Sequence, residues 1–186
     1  MVKARIYEDI DGCLNASFNA RAWRRDGDTD QAGYQRAWVY PEFDDFGVHQ
    51  GRGFSKFRME WNDRLIDALN ELDVEFVWTT TWREDALAVG AVMNLIHEPQ
   101  RVLYPLNGKT TFPSIYWKLD AILDEQERDP SPFVAVDDEW DDRHGLRREA
   151  LESIGGLVIC PDSNFGITPA HVDLMKKYLL ARSAQS

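Results

Sequence analysis

Two aspartates near the start of the chain, Asp9 and Asp11, are separated by one residue and followed by Gly12. Carboxylates can act as nucleophiles, as general acids or bases, and as ligands of hard cations. A second acidic pair, Asp137 and Asp138, follows the apolar segment at residues 132–136. Aspartate is also common in solvated turns at strand ends. Whether the two pairs act together therefore depends on the elements that carry them.

Strands and helices are predicted to alternate along most of the chain. Segments rich in β-branched and aromatic residues predict five strands, at residues 4–9, 74–79, 101–106, 132–136 and 157–160. Apolar residues at helical spacing predict five helices, at residues 61–72, 86–96, 114–127, 146–154 and 169–182. This alternation favours right-handed crossovers and a sheet covered on both faces. We therefore predict an α/β fold with a doubly wound, mainly parallel, five-stranded Rossmann-like sheet.

Residues 15–56 interrupt the alternation with five glycines and scattered aromatic residues. Because a structureless loop of this length is uncommon in a compact domain, we predict a small insert with one or two hairpins. Residues 36–40 are a candidate strand within it. The insert would divide a single core domain into residues 1–14 and 57–186.

In a doubly wound sheet, functional groups gather at the carboxyl ends of the strands. The second predicted strand ends in Thr79, Thr80 and Thr81, and Lys118 lies in the helix after the third strand. Two acidic pairs, a hydroxyl cluster and an amine are therefore expected at one edge. Several carboxylates at one place repel each other unless a cation is shared between them, and hard oxygen ligands suit Mg²⁺.

The segment IYEDIDGCLN, at residues 6–15, resembles the first motif of the haloacid dehalogenase (HAD) superfamily, in which an apolar strand precedes D-x-D-G. The later features follow in the order of that superfamily: a threonine after the second strand, a lysine on a helix, and an acidic pair after the fourth strand. The segment DSNFGITPAHVDL, at residues 162–174, is similar to that of a phosphatase-like branch found in bacteria and bacteriophages. Outside the insert, the resemblance covers most of the chain.

The resemblance implies a HAD-type phosphatase that hydrolyses a phosphomonoester through an aspartyl-phosphate intermediate. It implies that Asp9 is the nucleophile and that Asp11 is the general acid and then the general base. Thr80 would bind the phosphoryl oxygens, and Lys118 would pair with Asp9. Since a dehalogenase needs no acid two residues after its nucleophile, Asp11 favours a phosphatase or a phosphotransferase.

The resemblance also implies a Mg²⁺ site made of the Asp9 carboxylate, the Asp11 backbone carbonyl and the acidic pair, Asp137 and Asp138. Asp141 and Asp142 leave open a wider spacing of the last two ligands.

The exact member of the threonine cluster is also open, and Thr79 and Thr81 remain candidates for substrate binding. Trp82 and Trp140 flank the predicted site, where they either line it or cover the sheet edge.

In the HAD superfamily, an insert after the first motif forms a cap that selects the substrate. The insert contains Arg24 and Arg25, and arginine is well suited to binding phosphate. In the alternative interpretation, nearby aspartates neutralise these arginines in a solvated loop. The expected partner is a phosphorylated small molecule, a nucleotide or the phosphorylated end of a nucleic acid.

The composition excludes several other classes of function. The net charge of −11 argues against an extended nucleic-acid footprint, although residues 1–60 carry only −1 of it. Two cysteines are too few for a disulfide framework. The charged N-terminus and the lack of a long apolar run predict a cytoplasmic protein without membrane contact. The main alternative function is a HAD-like protein that binds a phosphorylated ligand or a protein partner with little or no catalysis.

Overall fold

The computed structural model describes residues 3–29, 32–39, 57–98, 100–105, 116–141 and 145–183. The strands in this part of the chain are β1 (Ala4–Glu8), β2 (Tyr34–Val39), β3 (Phe57–Asn62), β4 (Val74–Trp78), β5 (Arg101–Val102), β6 (Phe133–Val136) and β7 (Leu157–Ile159). The helices are α1 (Asn19–Ala22), α2 (Asp63–Asn70), α3 (Asp85–Val92), α4 (Trp117–Arg128), α5 (Leu146–Ser153) and α6 (Pro169–Ser183).

Five strands form one parallel sheet in the order β5-β4-β1-β6-β7. In its centre, Ile6 of β1 pairs with Phe76 of β4 on one side and with Val134 of β6 on the other. Because the strands are parallel, their carboxyl ends lie at the same edge of the sheet. The predicted α/β fold with a mainly parallel five-stranded sheet is confirmed.

Both faces of the sheet are buried, as the alternation of side chains along a strand requires. Ile6 belongs to the larger core cluster, whereas Tyr7 belongs to a second cluster on the other face, with Ala121 and Ile122 of α4. Helices therefore cover the two faces separately, and α4 lies over the face that carries Tyr7.

A buried ionic network fastens α4 to the sheet. Arg5 is 6% exposed, and it donates a hydrogen bond of 2.9 Å to Glu75 and another to the carboxylate of Asp129 after α4. Glu125 of α4 accepts hydrogen bonds from Tyr7 and from Arg101. Since these contacts join the C-terminal end of α4 to β1, β4 and β5, they hold that end of the helix against the sheet.

The second sheet is an antiparallel hairpin of β2 and β3, in which Ala37 pairs with Met59. Met59 and Trp61 are buried in the larger core cluster. The hairpin therefore joins residues on both sides of position 56, and the division into a core and an insert remains a prediction.

The sequence interpretation around Trp61 was wrong, because this residue belongs to β3 and not to the following helix. The helix begins at Asp63, where the Asn62 side chain accepts a hydrogen bond from the backbone N–H of Arg64. The short helix α1 was not predicted. The predicted strand at residues 101–106 is reduced to Arg101–Val102, and residue 106 lies outside the described residues. None of the described helices is both long and apolar enough to cross a membrane.

Candidate active site

Asp9 and Asp137 lie at the carboxyl ends of two neighbouring strands, β1 and β6. The backbone N–H of Asp9 donates to Val136 (3.0 Å), and that of Asp137 donates to Ile159 (3.2 Å). These bonds continue the sheet ladder beyond the strand ends, so the backbone of both aspartates is held by the sheet. Both residues are buried, with 8% of Asp9 and 1% of Asp137 exposed.

Lys118 connects these two aspartates from the first turn of α4. Its Nζ donates hydrogen bonds of 2.7 Å to Asp9 Oδ2 and 2.6 Å to Asp137 Oδ2. Burial by itself would lower the pKa of Lys118, but the charges of Asp9 and Asp137 outweigh it and raise the pKa above its ordinary value. The ammonium group therefore remains charged and offsets part of the carboxylate charge.

Asp138 completes a cluster of three carboxylates with Asp9 and Asp137, whose oxygens lie within 4.8 Å of one another. Burial and the charge of Asp9 raise the pKa of Asp137 and of Asp138 to about 6. When all three carboxyl groups are ionised, Lys118 balances only one of the three negative charges. Three hard oxygen donors with excess negative charge fit a divalent cation such as Mg²⁺.

Gly12 makes room for this cluster. It has a φ of +72°, and a Cβ atom at this position would lie 2.4 Å from the carboxylate of Asp138. Any larger residue would therefore displace Asp138 and would also adopt a backbone conformation that side chains disfavour.

Asp11 is exposed, and two side chains hold its carboxylate. Asn15 Nδ2 donates to Asp11 Oδ1 and Trp82 Nε1 donates to Asp11 Oδ2, both at 2.8 Å. Asn15 also accepts a hydrogen bond of 2.9 Å from the backbone N–H of Glu60 in β3. Asn15, four residues further along the chain, and Trp82, directly after the threonines, therefore orient the carboxylate of Asp11. Asn15 also connects this carboxylate to β3 of the hairpin.

Sequence reasoning missed Asn15, and it left the position of Trp82 open. Nothing in the sequence links Asp11 to Trp82 across 71 positions, but Asn15 lies in the same turn as Asp11, and asparagine often bonds locally in turns. Trp140, the other tryptophan considered, is 1% exposed and belongs to the core beneath α4. It covers the sheet and does not line the site.

The three threonines after β4 lie in different environments. Thr79 is fully buried and its backbone N–H donates to Glu8, which places it beside β1. Its Oγ1 is buried without a hydrogen-bond partner among the described residues. Thr80 is also buried and accepts a long contact (3.4 Å) from the N–H of Trp82, whereas Thr81 is exposed. The choice among them remains a prediction.

Glu8, directly before Asp9, is a buried carboxyl group that the sequence interpretation did not single out. It is 0% exposed, and neither of its oxygens has a hydrogen-bond partner among the described residues. Burial, followed by the charges of Asp9 and Asp137, raises its pKa well above the ordinary value. This shift favours the neutral form of the Glu8 carboxyl group.

Arg24 and Arg25 lie after α1, next to Asp28. The backbone N–H of Arg25 donates to the Asp28 carboxylate (2.7 Å), and the Arg24 guanidinium is 3.4 Å from the Asp28 carbonyl oxygen. The Asp28 carboxylate itself pairs with Arg64 of α2. Binding of substrate by these two arginines remains a prediction.

Two further aspartates, Asp141 and Asp142, follow the acidic cluster in the sequence. Asp141 is bound by Arg148 of α5, with 2.7 Å between Oδ1 and Nε, and Asp142 lies outside the described residues. Among the described residues, the acidic cluster contains Asp9 and the adjacent pair, and the wider spacing with Asp142 stays a prediction.

Comparison with known proteins gives one family. Residues 5–172 match the family model described as "HAD domain in Swiss Army Knife RNA repair proteins". The match runs from β1 into α6 and includes all the predicted site residues. No curated protein and no solved structure matches the chain.

Proposed function

The chain belongs to the family of HAD domains in Swiss Army Knife RNA repair proteins, and from this premise we propose that it removes the phosphate from the end of an RNA strand. The family supports a phosphohydrolase in general, and its RNA repair context favours a phosphorylated end over a free sugar phosphate or nucleotide. The reaction would be the Mg²⁺-dependent hydrolysis of a phosphomonoester through an aspartyl-phosphate.

The observation that carries this proposal is the position of Lys118 between Asp9 and Asp137. Each oxygen of Asp9 accepts one hydrogen bond, from Lys118 to Oδ2 and from the N–H of Ile10 to Oδ1 (2.8 Å). The carboxylate is therefore fixed in direction, while each of its oxygens keeps a further lone pair. A fixed carboxylate beside an ammonium group suits a nucleophile that must attack a negatively charged phosphate.

In the first step, an oxygen of Asp9 attacks phosphorus, and the bond between phosphorus and the RNA hydroxyl oxygen breaks. Asp11 in its protonated form donates a proton to that leaving oxygen. Trp82 and Asn15 each hold one oxygen of Asp11, so the acid is kept at the open side of the site. This step produces an RNA hydroxyl group and a phosphorylated Asp9.

In the second step, the ionised Asp11 takes a proton from water, and the resulting hydroxide attacks phosphorus. The bond between phosphorus and Asp9 breaks, inorganic phosphate leaves, and both aspartates return to their starting state. Lys118 stabilises the negative charge of the phosphoryl group throughout, and a hydroxyl of Thr79 or Thr80 binds one of its oxygens.

Asp9, Asp137, Asp138 and the backbone carbonyl of Asp11 would hold Mg²⁺. When bound, the cation supplies positive charge that offsets the carboxylates and the phosphate. The excess negative charge at the cluster and the raised pKa of Asp137 and Asp138 support this assignment.

The test is phosphate release from oligoribonucleotides that carry a 3′- or a 5′-phosphate, measured with Mg²⁺ and with a chelator. We expect release with Mg²⁺ only, and its loss in Asp9→Asn. Asp73→Asn serves as the matched control, because the same change there affects a side chain that is 96% exposed.

Phosphate release by Asp9→Asn at the rate of the unmodified protein would contradict the proposed nucleophile. Tight binding of phosphorylated RNA without turnover, at any phosphate position, would instead support a HAD-like protein that binds its ligand without catalysis.

A further inference from the structure

An aromatic pair lies beside the predicted acid of the site. Phe57, at the start of β3, packs edge-to-face against Trp82, with 5.0 Å between the ring centroids and 67° between the ring planes. Phe57 is 43% exposed, and Trp82 is partly buried against the larger core cluster. The pair joins the hairpin to the turn that follows β4.

The exposure of Phe57 is unusual for its position on the hairpin. Phe57, Met59 and Trp61 share one face of β3, because side chains alternate along a strand. Met59 is 0% exposed and Trp61 is 5% exposed, so Phe57 is the exposed member of this β3 row. Its ring meets Trp82 there.

Trp82 places this pair next to the phosphate site. Its Nε1–H donates to Asp11 Oδ2 at 2.8 Å, and Asp11 is two residues from the predicted nucleophile. The indole ring is therefore held at its N–H by Asp11 and at another side by Phe57. The two rings therefore lie on the side of Asp11, the residue proposed to protonate the leaving oxygen.

We propose that Phe57 and Trp82 bind the base of the nucleotide that carries the phosphate to be removed. Aromatic side chains stack on any base without strong sequence preference, since every base has a flat π-face. This inference rests on the proposed function, and it adds a specific part of the substrate: a terminal nucleotide with an intact base.

The charge of the hairpin is compatible with such a ligand. Arg36 and Arg58 belong to the opposite face of the hairpin from Phe57, and both are exposed. Arg58 contacts Glu60 at 3.1 Å but keeps 49% of its side chain exposed. Because these arginines face away from Phe57, the base site rests on the aromatic pair and not on them.

The test measures binding to Asp9→Asn, so that it does not depend on turnover. The probes are two phosphorylated trinucleotides that differ only in the terminal nucleotide, which is either normal or abasic. We expect the normal probe to bind about tenfold more tightly, as one stacked base predicts. Phe57→Ala in the same background should abolish this difference, whereas Phe57→Tyr should retain it.

Phe165→Ala is the matched control, because Phe165 is 41% exposed and also belongs to an aromatic pair, with Phe18 at 5.8 Å. This variant should keep the preference for the normal probe. Equal affinity for the two probes, binding of neither, or a preference that survives Phe57→Ala would overturn the proposal. If Asp9→Asn prefers the normal probe but the unmodified protein releases no phosphate, the proposed function is rejected and the base site is retained.

Discussion

Gly12 and Asp138 are in such close contact that a Cβ atom at position 12 would lie 2.4 Å from the Asp138 carboxylate. The glycine of the D-x-D-G motif therefore has two functions in this protein. It adopts a φ of +72°, and it leaves the space that lets an aspartate from another strand approach the carboxylate of Asp9.

Gly12→Ala should weaken Mg²⁺ binding by about tenfold or more, because the added Cβ displaces Asp138 and the cation loses one charged ligand. The control is Gly27→Ala, where φ is +86° and no atom lies within 4 Å of the added Cβ. Both variants should lose about 1–2 kcal/mol of stability through the positive φ, but only Gly12→Ala should lose affinity in a calorimetric titration. Equal Mg²⁺ affinities of the two variants would contradict the role of this contact.

Trp82→Phe removes one of the two donors that hold Asp11. A hydrogen bond to a charged group contributes about 1.5–3 kcal/mol, so we expect kcat to fall about tenfold. The KM should change little, because the aromatic ring remains. Trp140→Phe makes the same change where Nε1 has no partner among the described residues, and steady-state kinetics of the two variants should therefore differ. A kcat for Trp82→Phe equal to that of Trp140→Phe would show that the indole N–H does not position Asp11.

The contribution of Asp137 and Asp138 to the stability of the metal-free protein should fall as the pH rises through about 6. In the folded state the pKa of Asp137 and of Asp138 is about 6, above the reference value of 3.8, so the folded state binds protons more tightly than the unfolded state. The stabilisation from these protons is complete below about pH 4 and is lost above pH 6. Mg²⁺ should therefore raise Tm more at pH 7.5 than at pH 5, where protons compete for the same oxygens.

The measurement for this prediction is thermal unfolding at both pH values, with Mg²⁺ and with a chelator. Asp138→Asn should reduce the difference in the Mg²⁺-induced Tm shift between the two pH values. A Tm shift that is the same at pH 5 and pH 7.5 in the unmodified protein would contradict the assigned cation site.

Arg5→Met should destabilise the protein by about 3 kcal/mol, because it leaves Glu75 partly buried and without one of its two arginine partners. Lys3→Met is the control, since Lys3 pairs with Asp73 at the surface, where the side chains are 51% and 96% exposed. An exposed pair contributes only about 0–1 kcal/mol. Urea unfolding should separate the two variants, and a similar loss in both would show that the network does not fasten α4.

The parallel sheet and the meeting of Asp9, Asp137 and Lys118 follow from local patterns. Apolar segments mark the strands, and a parallel sheet brings the residues after them to one edge. The sequence of strands and helices is therefore enough to bring these side chains near one another. It is not enough to assign their roles, which depend on bound ligands.

The hairpin is harder to predict than the parallel sheet, because helical spacing and strand alternation overlap at Trp61. This residue has helical spacing with Leu65 and Ile66, but it also alternates with Phe57 and Met59, and pairing with β2 decides between the two. The contact of Trp82 with Asp11 spans 71 positions. No local pattern specifies such a contact, so it becomes visible only in the folded chain.

The central claim, that Asp9 forms a covalent bond to phosphorus, is tested most directly by acid quenching during turnover of a phosphorylated oligoribonucleotide. Mass spectrometry of the digested protein should show one added phosphoryl group on the peptide that contains Asp9, and Asp9→Asn should show none. In Asp11→Asn this group should form more slowly and also persist for longer, because Asp11 protonates the leaving oxygen in the first step and activates the water of the second step. Rapid phosphate release without any phosphorylated Asp9 peptide would contradict the account.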